Sequence, residues 1–180
     1  DTLATNSVDS AELVNGAIDA GHLASGVGGI TSSSTFRLNA DTNLSTNSDI
    51  TANWEEVDTE DYTSLGTAVT ESSGIFSFPA TGYWLISANM YIVMNPGPDT
   101  ADVKYEVTVN NSAYTQRAKF GAGVEGGRNS TAAGTYLLDV TDISNVKCKF
   151  VTSSFATGTY LRGTTSSSES CVTFTRLGDT

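Results

Sequence analysis

The chain has 180 residues and a formal net charge of −11 at pH 7, with 9 Lys and Arg against 20 Asp and Glu. This acidity opposes binding to nucleic acid or to an anionic membrane surface, because both partners attract basic patches. No apolar run approaches the length of a membrane span, so we expect no membrane insertion. A composition rich in Thr, Ser, Gly, Val and Asn indicates an all-β protein with many turns.

The one histidine, His22, lies in the N-terminal segment, so the rest of the chain offers no Ser-His-Asp triad or multi-histidine metal site. Cys148 and Cys171 are too few for a disulfide scaffold, and the sequence leaves open whether they form one bridge or stay free. The chain starts at Asp1, inside a repeat and without a visible secretory signal. We therefore expect it to be a piece of a longer polypeptide.

Residues 1–30 contain a short repeat. Apolar residues recur at every fifth position, namely at Leu3, Val8, Leu13, Ile18 and Leu23. This is too little apolar surface for a core within one chain, but several copies meeting along an axis would each contribute a layer. We predict a stalk over residues 1–30 that ends in a glycine-rich flexible joint, with a disordered linker as the alternative.

The repeat unit reads Val-Asp-Ser-Ala-Glu-Leu at residues 8–13. It resembles the short repeats found beside the heads of bacteriophage tail fibres and related virion proteins. The resemblance is confined to the N-terminal segment. It implies a location in a virion, with other virion proteins contacted on the N-terminal side.

The main domain is organised around residues 74–94, which we predict to be two strands joined as a hairpin by a tight turn at residues 79–82. In the longer second strand, alternation places apolar residues on a core face, namely Trp84, Ile86, Ala88, Met90, Ile92 and Met94. The opposite face is uncharged and carries Tyr83, Leu85, Ser87, Asn89, Tyr91 and Val93. Such a mixture is typical of subunit interfaces, so we expect contact with another subunit, with cover by the chain's own loops as the alternative.

The other segments alternate short strands with turn signals, which predicts a β-sandwich or jelly roll without notable helices. Strands are predicted over residues 35–38, 54–57, 67–70, 103–109, 113–120, 134–140, 146–150 and 170–177. Loops are predicted over residues 39–53, 121–127 and 153–168. The glycine-rich residues 121–127 superficially resemble a phosphate-binding loop, but no Lys-Ser or Lys-Thr follows them.

An acidic cluster lies near the second predicted strand, at Glu55, Glu56, Asp58, Glu60 and Asp61. We interpret it as a solvated loop. Its oxygen ligands would also suit Ca²⁺, although the spacing is not that of an EF-hand. We therefore expect no cofactor and assign no metal ligands, with Ca²⁺ as the alternative.

Four segments together resemble the C1q and tumour necrosis factor-like jelly-roll family. They are Gly-Ile-Phe-Ser-Phe-Pro leading to Gly-Tyr-Trp-Leu-Ile-Ser (residues 74–87), Val-Thr-Val-Asn-Asn (107–111), residues 134–149, and Ser-Cys-Val-Thr-Phe-Thr-Arg-Leu (170–177). Asp142-Ile143-Ser144 departs from the Gly-Asp turn usual in the family. We assign residues 31–180 to this jelly-roll head. The resemblance implies a homotrimer in which the first, last and central strands surround the threefold axis.

We accordingly expect a trimer interface with contributions from the head and from the stalk. Its predicted residues are Tyr83, Leu85, Asn89 and Tyr91 in the head, and Leu3, Val8, Leu13, Ile18 and Leu23 in the stalk.

The resemblance implies binding rather than catalysis, and we assign no catalytic residues. Because rigid sandwiches present function on loops, and because aromatic and Arg side chains anchor partners, the candidate ligand contacts are Asp99, Arg128, Tyr160 and Arg162. The prediction is a trimeric fibre or appendage protein of a virion that attaches to a host receptor or glycan. The alternatives are a secreted, extracellular C1q-like binding module and a structural cap that trimerises a fibre. A fibre that degrades host polysaccharide through a carboxylate pair, such as Asp99 with Asp102, is the enzymatic alternative.

Overall fold

The computed structural model describes residues 29–59, 61–94, 99–124 and 128–180, without the side chains of Asp99 and Val124. These residues form strands, turns and bends, and no helix. The strands are β1 Ser32–Leu38, β2 Ala40–Asn43, β3 Trp54–Glu56, β4 Thr70–Ser72, β5 Ile75–Ser77, β6 Gly82–Val93, β7 Asp99–Thr108, β8 Thr115–Val124, β9 Asn129–Val140, β10 Lys147–Ser153, β11 Tyr160–Thr164 and β12 Cys171–Gly178. Residues 1–28 of the predicted stalk lie outside the described residues, and the division at residue 30 stays a prediction. In the described part of the chain, no helix is long and apolar enough to cross a membrane.

The strands form two antiparallel sheets around one core. The first sheet has the order β2-β11-β6-β12-β1-β3, with β9 on the other side of β6, and the second has the order β4-β5-β10-β7-β8. β9 pairs with β6 along its whole length, from Gly82 opposite Val140 to Val93 opposite Asn129. β12 and β11 share the other side of β6. Strand β6 is therefore the centre of the first sheet.

The core face of β6 agrees with the prediction. All six apolar side chains at its alternate positions are buried, from Trp84 to Met94. They pack within a core that contains the rings of Phe36, Phe76 and Phe174, whose pairwise centroid distances are 5.0 to 6.2 Å. Large rings with inclined planes fill a sandwich core efficiently, so this cluster holds the two sheets together.

Residues 74–94 form two strands, as predicted, but the predicted hairpin is wrong. β5 pairs with β4 and β10 in the second sheet, whereas β6 belongs to the first. Residues 78–81 therefore cross from one sheet to the other. Gly82 ends this crossover with a φ of 128°, and a Cβ atom there would collide with the carbonyl oxygen of Gly178. Both strands carry a core face, and placing them in opposite sheets lets both faces reach the same core.

Two predicted loops contain strands. β2 and β11 lie within residues 39–53 and 153–168, and they pair with each other at one edge of the first sheet. Their main buried side chains are Thr42 and Leu161, which is too weak a pattern to indicate strands from sequence. The first half of the predicted glycine-rich loop likewise extends β8 to Val124, and the strand predicted at residues 67–70 begins only at Thr70.

The two cysteines are free, and each belongs to a different sheet. Cys148 lies in β10 and is fully buried, which raises the pKa of its thiol to about 12. Cys171 in β12 is half-buried, and burial raises its pKa as well. Because the thiolate is the reactive form, both raised pKa values predict slow chemistry in the folded protein.

We predict that Cys148 does not react with 5,5′-dithiobis(2-nitrobenzoate) at pH 8 in the folded protein, since a thiol with a pKa of about 12 is only about 10⁻⁴ ionised there. Cys171 should react faster than Cys148 but more slowly than in urea. Absorbance kinetics of the Cys148→Ser and Cys171→Ser variants assign each phase. Reaction of Cys148 at its unfolded rate would contradict the buried position in β10.

Candidate functional site

The first sheet presents an unusual face to the outside. We call it the outer face, and on β6, β9 and β12 it consists of Tyr83, Leu85, Ser87, Asn89, Tyr91 and Val93, then Asn129, Thr131, Ala133, Thr135, Leu137 and Asp139, and then Cys171, Thr173 and Thr175. Asp139 is the one charged residue in this set. Cross-strand rows are matched in character, such as Thr173, Ser87 and Thr135. A face so poor in charge is suited to contact with protein.

The outward side of the second sheet has the opposite composition. It carries the charged residues Asp102, Lys104, Glu106, Lys119, Lys147 and Lys149. Several of them form ion pairs, with distances of 2.6 Å between Lys119 Nζ and Asp102 Oδ2 and 2.8 Å between Lys149 Nζ and Asp49 Oδ2. One sheet is therefore built to face water, and the outer face of the other is not.

The outer face ends in an apolar patch on the Tyr83 side. Tyr83, Leu137 and Leu177 are 42%, 53% and 48% exposed and line an open groove of about 330 Å³ together with Gly178 and Asp179. Large apolar side chains grouped in this way are costly to leave in water, at roughly 25 cal/mol for each Å². The patch therefore favours a protein partner on this face.

The β1 side of the outer face is covered by the chain itself. Arg37 points outward from β1 but is only 1% exposed, and the chain beside it is held to β1 by hydrogen bonds from Val57 N to the Thr35 carbonyl and between Leu65 and Ser33. Its Nε donates to Glu55 Oε1 (2.7 Å) and its Nη2 donates to Asp58 Oδ1 (2.8 Å), whereas Nη1 has no hydrogen-bond partner among the described residues. The alternative prediction, cover by the chain's own loops, concerned β6, where Tyr83 is 42% exposed.

These contacts give part of the acidic cluster a structural role. Glu55 and Asp58 neutralise Arg37, and Glu55 also accepts a hydrogen bond from Asn39 Nδ2 at 3.0 Å. Glu60 lies outside the described residues. Within the described part of the chain, no three His, Cys, Asp or Glu residues are grouped so that they could hold a metal ion.

A second feature is an open polar cavity at the edge of the first sheet, which we call the edge cavity. It measures about 590 Å³ and lies between β2, β11 and the residues that lead to β12. Its lining consists mainly of polar side chains and backbone, namely Asn39, Ala40, Asp41, Arg162, Gly163, Thr164, Thr165, Ser166, Ser167 and Glu169.

Backbone packing shapes the floor of the edge cavity. The pairing of β11 with β2 shifts register between Leu161 and Thr164, and Asp41 Oδ1 accepts a hydrogen bond from the Gly163 amide (3.1 Å) across this irregularity. A Cβ atom on Gly163 would lie 2.6 Å from the Leu38 carbonyl oxygen and still closer to that of Ala40 in β2. Glycine is therefore required here for the close approach of the two strands.

The charged groups of the edge cavity connect it to the outer face. Arg162 Nε lies 3.0 Å from Glu169 Oε2, and the Arg162 guanidinium lies 6.0 Å from the centre of the Tyr91 ring. Tyr91 in turn accepts a hydrogen bond at its hydroxyl from Asn129 Nδ2 (2.8 Å), and Asn89 Nδ2 donates to the Glu169 carbonyl (2.9 Å). The cavity and the outer face thus share a polar boundary.

The structure brings three of the four predicted ligand residues to one end of β6. Tyr160 in β11 pairs with Val93, and Arg128 immediately precedes Asn129, which pairs with Val93 from the other side. Arg162 lines the edge cavity. Asp99 instead starts β7 in the second sheet, where it pairs with Val124. That these residues contact a ligand stays a prediction.

The predicted interface residues of the head share the outer face. Tyr83 is exposed, and Leu85, Asn89 and Tyr91 are half-buried. The five apolar stalk residues, Leu3, Val8, Leu13, Ile18 and Leu23, lie outside the described residues. The sequence analysis missed Leu137, Leu177, Asp41 and Glu169. Alternation along β9 would have placed Leu137 on the outer face, but no local signal connects Asp41 with residues beyond position 160.

Comparisons with known proteins support the fold. No protein-family model and no curated protein matches this chain. Among solved structures, the Eiger tumour necrosis factor from S. frugiperda superposes with a TM-score of 0.66 at 12% identity, covering 82% of this chain and 93% of that one. Murine APRIL gives 0.59 at 10% identity, over 81% of this chain and 98% of the other.

The globular domain of the zebrafish complement 1qA protein gives a TM-score of 0.54 at 9% identity, covering 84% of this chain and 100% of that domain. Identities this low concern the fold alone. The chain therefore has an all-β jelly-roll sandwich fold, with β1, β12 and β6 adjacent in one sheet. Within that class it is similar to tumour necrosis factor and C1q globular domains, which confirms the predicted fold class.

We predict that Glu55 and Asp58 contribute unequally to stability. Glu55→Ala removes the partner of a buried guanidinium and should lower the free energy of unfolding by about 1–3 kcal/mol. Asp58→Ala removes a carboxylate that is 80% exposed and should cost about 0–1 kcal/mol. Urea unfolding at one fixed protein concentration compares them, and equal costs would contradict the role given to Glu55.

Proposed function

We propose that this chain is the non-enzymatic, trimeric binding head of a virion fibre or appendage, and that it attaches the particle to a host-surface receptor or glycan. The observation that carries the proposal is the outer face of the first sheet, which has one charged residue and ends in the apolar patch of Tyr83, Leu137 and Leu177. The second sheet of the same domain shows the charged surface expected of a face left in water.

Self-association explains this asymmetry best. In a chain with a net charge of −11, a wide sheet face with one carboxylate departs strongly from the rest of the molecule. A second copy meets only one carboxylate on this face, that of Asp139, and covers the apolar patch. The number of subunits, three, comes from the resemblance to the C1q and tumour necrosis factor-like family, which also implies that β1, β12 and β6 face the axis.

Binding is favoured over catalysis by the chemistry of the described residues. The proposed carboxylate pair of the enzymatic alternative is compromised, because Lys119 Nζ lies 2.6 Å from Asp102 Oδ2. The carboxylates of the edge cavity are also engaged, Asp41 by the Gly163 amide and Glu169 by Arg162. Carboxylates that are already held by a cation or an amide are better suited to position a ligand than to transfer a proton.

The virion location is supported by the N-terminal repeats, which resemble those beside phage fibre heads. Other virion proteins would then be contacted on the N-terminal side. The secreted binding module is the second candidate, favoured by the similarity to the Eiger tumour necrosis factor and to the complement 1qA globular domain. Both candidates require a trimeric binding head. A test of assembly therefore checks what the two candidates share, and a test of the binding target distinguishes between them.

We predict that the whole chain has three times its monomer mass by light scattering. The double variant Tyr83→Asp with Leu137→Asp should populate the monomer, because it places unpaired carboxylates in each head interface and leaves only the stalk contacts. The matched control is Val109→Asp with Ile143→Asp, two exposed apolar residues outside the outer face, which should stay trimeric. A monomeric wild-type chain, or dissociation of the control alone, would overturn the proposed assembly.

We also predict that the fluorescently labelled trimer stains a subset of strains in a panel of bacteria, measured by flow cytometry. The monomeric double variant should bind at least tenfold more weakly, since three linked contacts act together. A trimer that stains no bacterium but binds animal cells would support the secreted module instead. A trimer that stains neither bacteria nor animal cells would refute attachment and would favour the structural cap.

A further inference from the structure

We infer that the edge cavity is a binding subsite for a short, electrically neutral oligosaccharide. This inference rests on the proposed function and specifies the chemistry of the attachment target. It follows from the shape of the cavity, from the polar groups that its lining exposes, and from the balance of charge in the lining.

The shape favours a ligand that lies along the surface. The cavity measures about 590 Å³, within the range of about 300–1,000 Å³ found for small-molecule sites. It is open and polar, unlike typical small-molecule pockets, which are lined mainly by hydrophobic side chains. A hydrated ligand with hydroxyl groups on several sides suits such a lining.

The hydrogen-bonding groups of the cavity are only partly used. Glu169 Oε2 is buried and forms an ion pair with Arg162, but it accepts no aligned hydrogen bond from any residue that the structure describes. Oε2 itself is out of reach of a ligand, but the Glu169 side chain is 31% exposed, so its carboxylate can accept a ligand donor through the other oxygen. The half-exposed Arg162 offers donors beside it, and Thr164 and Ser166 add hydroxyls that lie 3.0 Å apart.

The balance of charge selects a neutral ligand. The lining contains two carboxylates, Asp41 and Glu169, and one guanidinium, Arg162, which gives a local charge of −1 within a chain of −11. An anionic ligand would be repelled by this field, and Arg162 is already paired. A metal cation would lie close to the Arg162 guanidinium and would also be repelled. A sugar hydroxyl both donates and accepts, so it satisfies the carboxylates and the guanidinium together.

A second cavity of about 410 Å³, lined by residues 43–46 and 155–159, carries no charged side chain. It therefore lacks the charge-assisted hydrogen bonds that orient a polar ligand. The edge cavity has them, and it also adjoins Tyr91 on the outer face through Arg162.

The test is a glycan array carrying neutral, sialylated and sulfated oligosaccharides, probed with the labelled full chain. Retention should be confined to neutral glycans. Arg162→Ala removes the donors, and Ser166→Trp fills the exposed mouth of the cavity without removing a strand contact. Each should lower retention at least tenfold. The controls Arg117→Ala and Ser112→Trp make the same changes at exposed positions of the second sheet and its β7–β8 turn, and should leave retention unchanged.

Light scattering and thermal unfolding establish that each variant is folded and retains the wild-type assembly. If Arg162→Ala fails to fold, Ser166→Trp alone serves as the test variant. Retention only on sialylated or sulfated glycans, retention unchanged by both cavity variants, or no retention at all would each overturn the inference. A trimer that stains bacteria but retains no glycan would overturn this inference while leaving the proposed function standing. A monomer that stains no cells would overturn the proposed function itself.

Discussion

The whole domain depends on the burial of one face of β6 while both of its edges are paired. β9 occupies one edge over the full length of the strand, and β12 and β11 occupy the other. This pairing fixes the side chains of Trp84, Ile86 and Met90 so that they point into the core. Because side chains alternate, a slip of one residue would expose this set and bury the opposite one. The core thus also determines which residues form the outer face.

That constraint makes the composition of the outer face informative. The second sheet alternates in the same way, and its outward positions carry lysines and carboxylates in ion pairs. The outward positions of β6, β9 and β12 carry hydroxyls, amides, aromatic rings and leucines. Folding of a single copy would be served equally well by charges at Thr135 or Leu137, since both are exposed. Their absence points to a requirement that arises outside the single chain.

The sequence predicts the parts of this fold that have strong periodicity. β6, β7, β10 and β12 each bury several alternate side chains, and their predicted spans agree with the structure to within a few residues. The pairing partner of a strand cannot be predicted from its own sequence in this way. Residues 74–94 look like a hairpin because a turn joins two apolar strands, and nothing local reveals that Phe76 and Trp84 approach the core from opposite sheets. The polar strand β11 pairs with the end of β6 that β12 leaves unpaired, at Ile92 and Val93, and β2 then pairs with β11. This pairing is a property of the tertiary structure.

The candidate site follows the same rule. Tyr83, Leu85, Asn89 and Tyr91 share a face because of period two, which sequence provides. The pairing of Arg162 with Glu169, and the position of Asp41 against Gly163, depend on a strand register that sequence does not provide.

Arg37 is an intermediate case. A charged residue between Phe36 and Leu38 marks the outward side of a strand, and its burial becomes clear only when Glu55 and Asp58 are placed beside it.

Tyr91 connects assembly and recognition physically. Its side chain lies on the outer face, its hydroxyl accepts a hydrogen bond from Asn129, and Arg162 of the edge cavity approaches its ring. A subunit that packs against Tyr91 would restrict the ring and, through it, the guanidinium that contributes donors to the cavity. Ordering that side chain before a ligand arrives removes part of the entropic cost of binding. A shallow polar site that is weak in one copy would thereby gain from the trimer twice, by preorganisation of each cavity and by the simultaneous use of three.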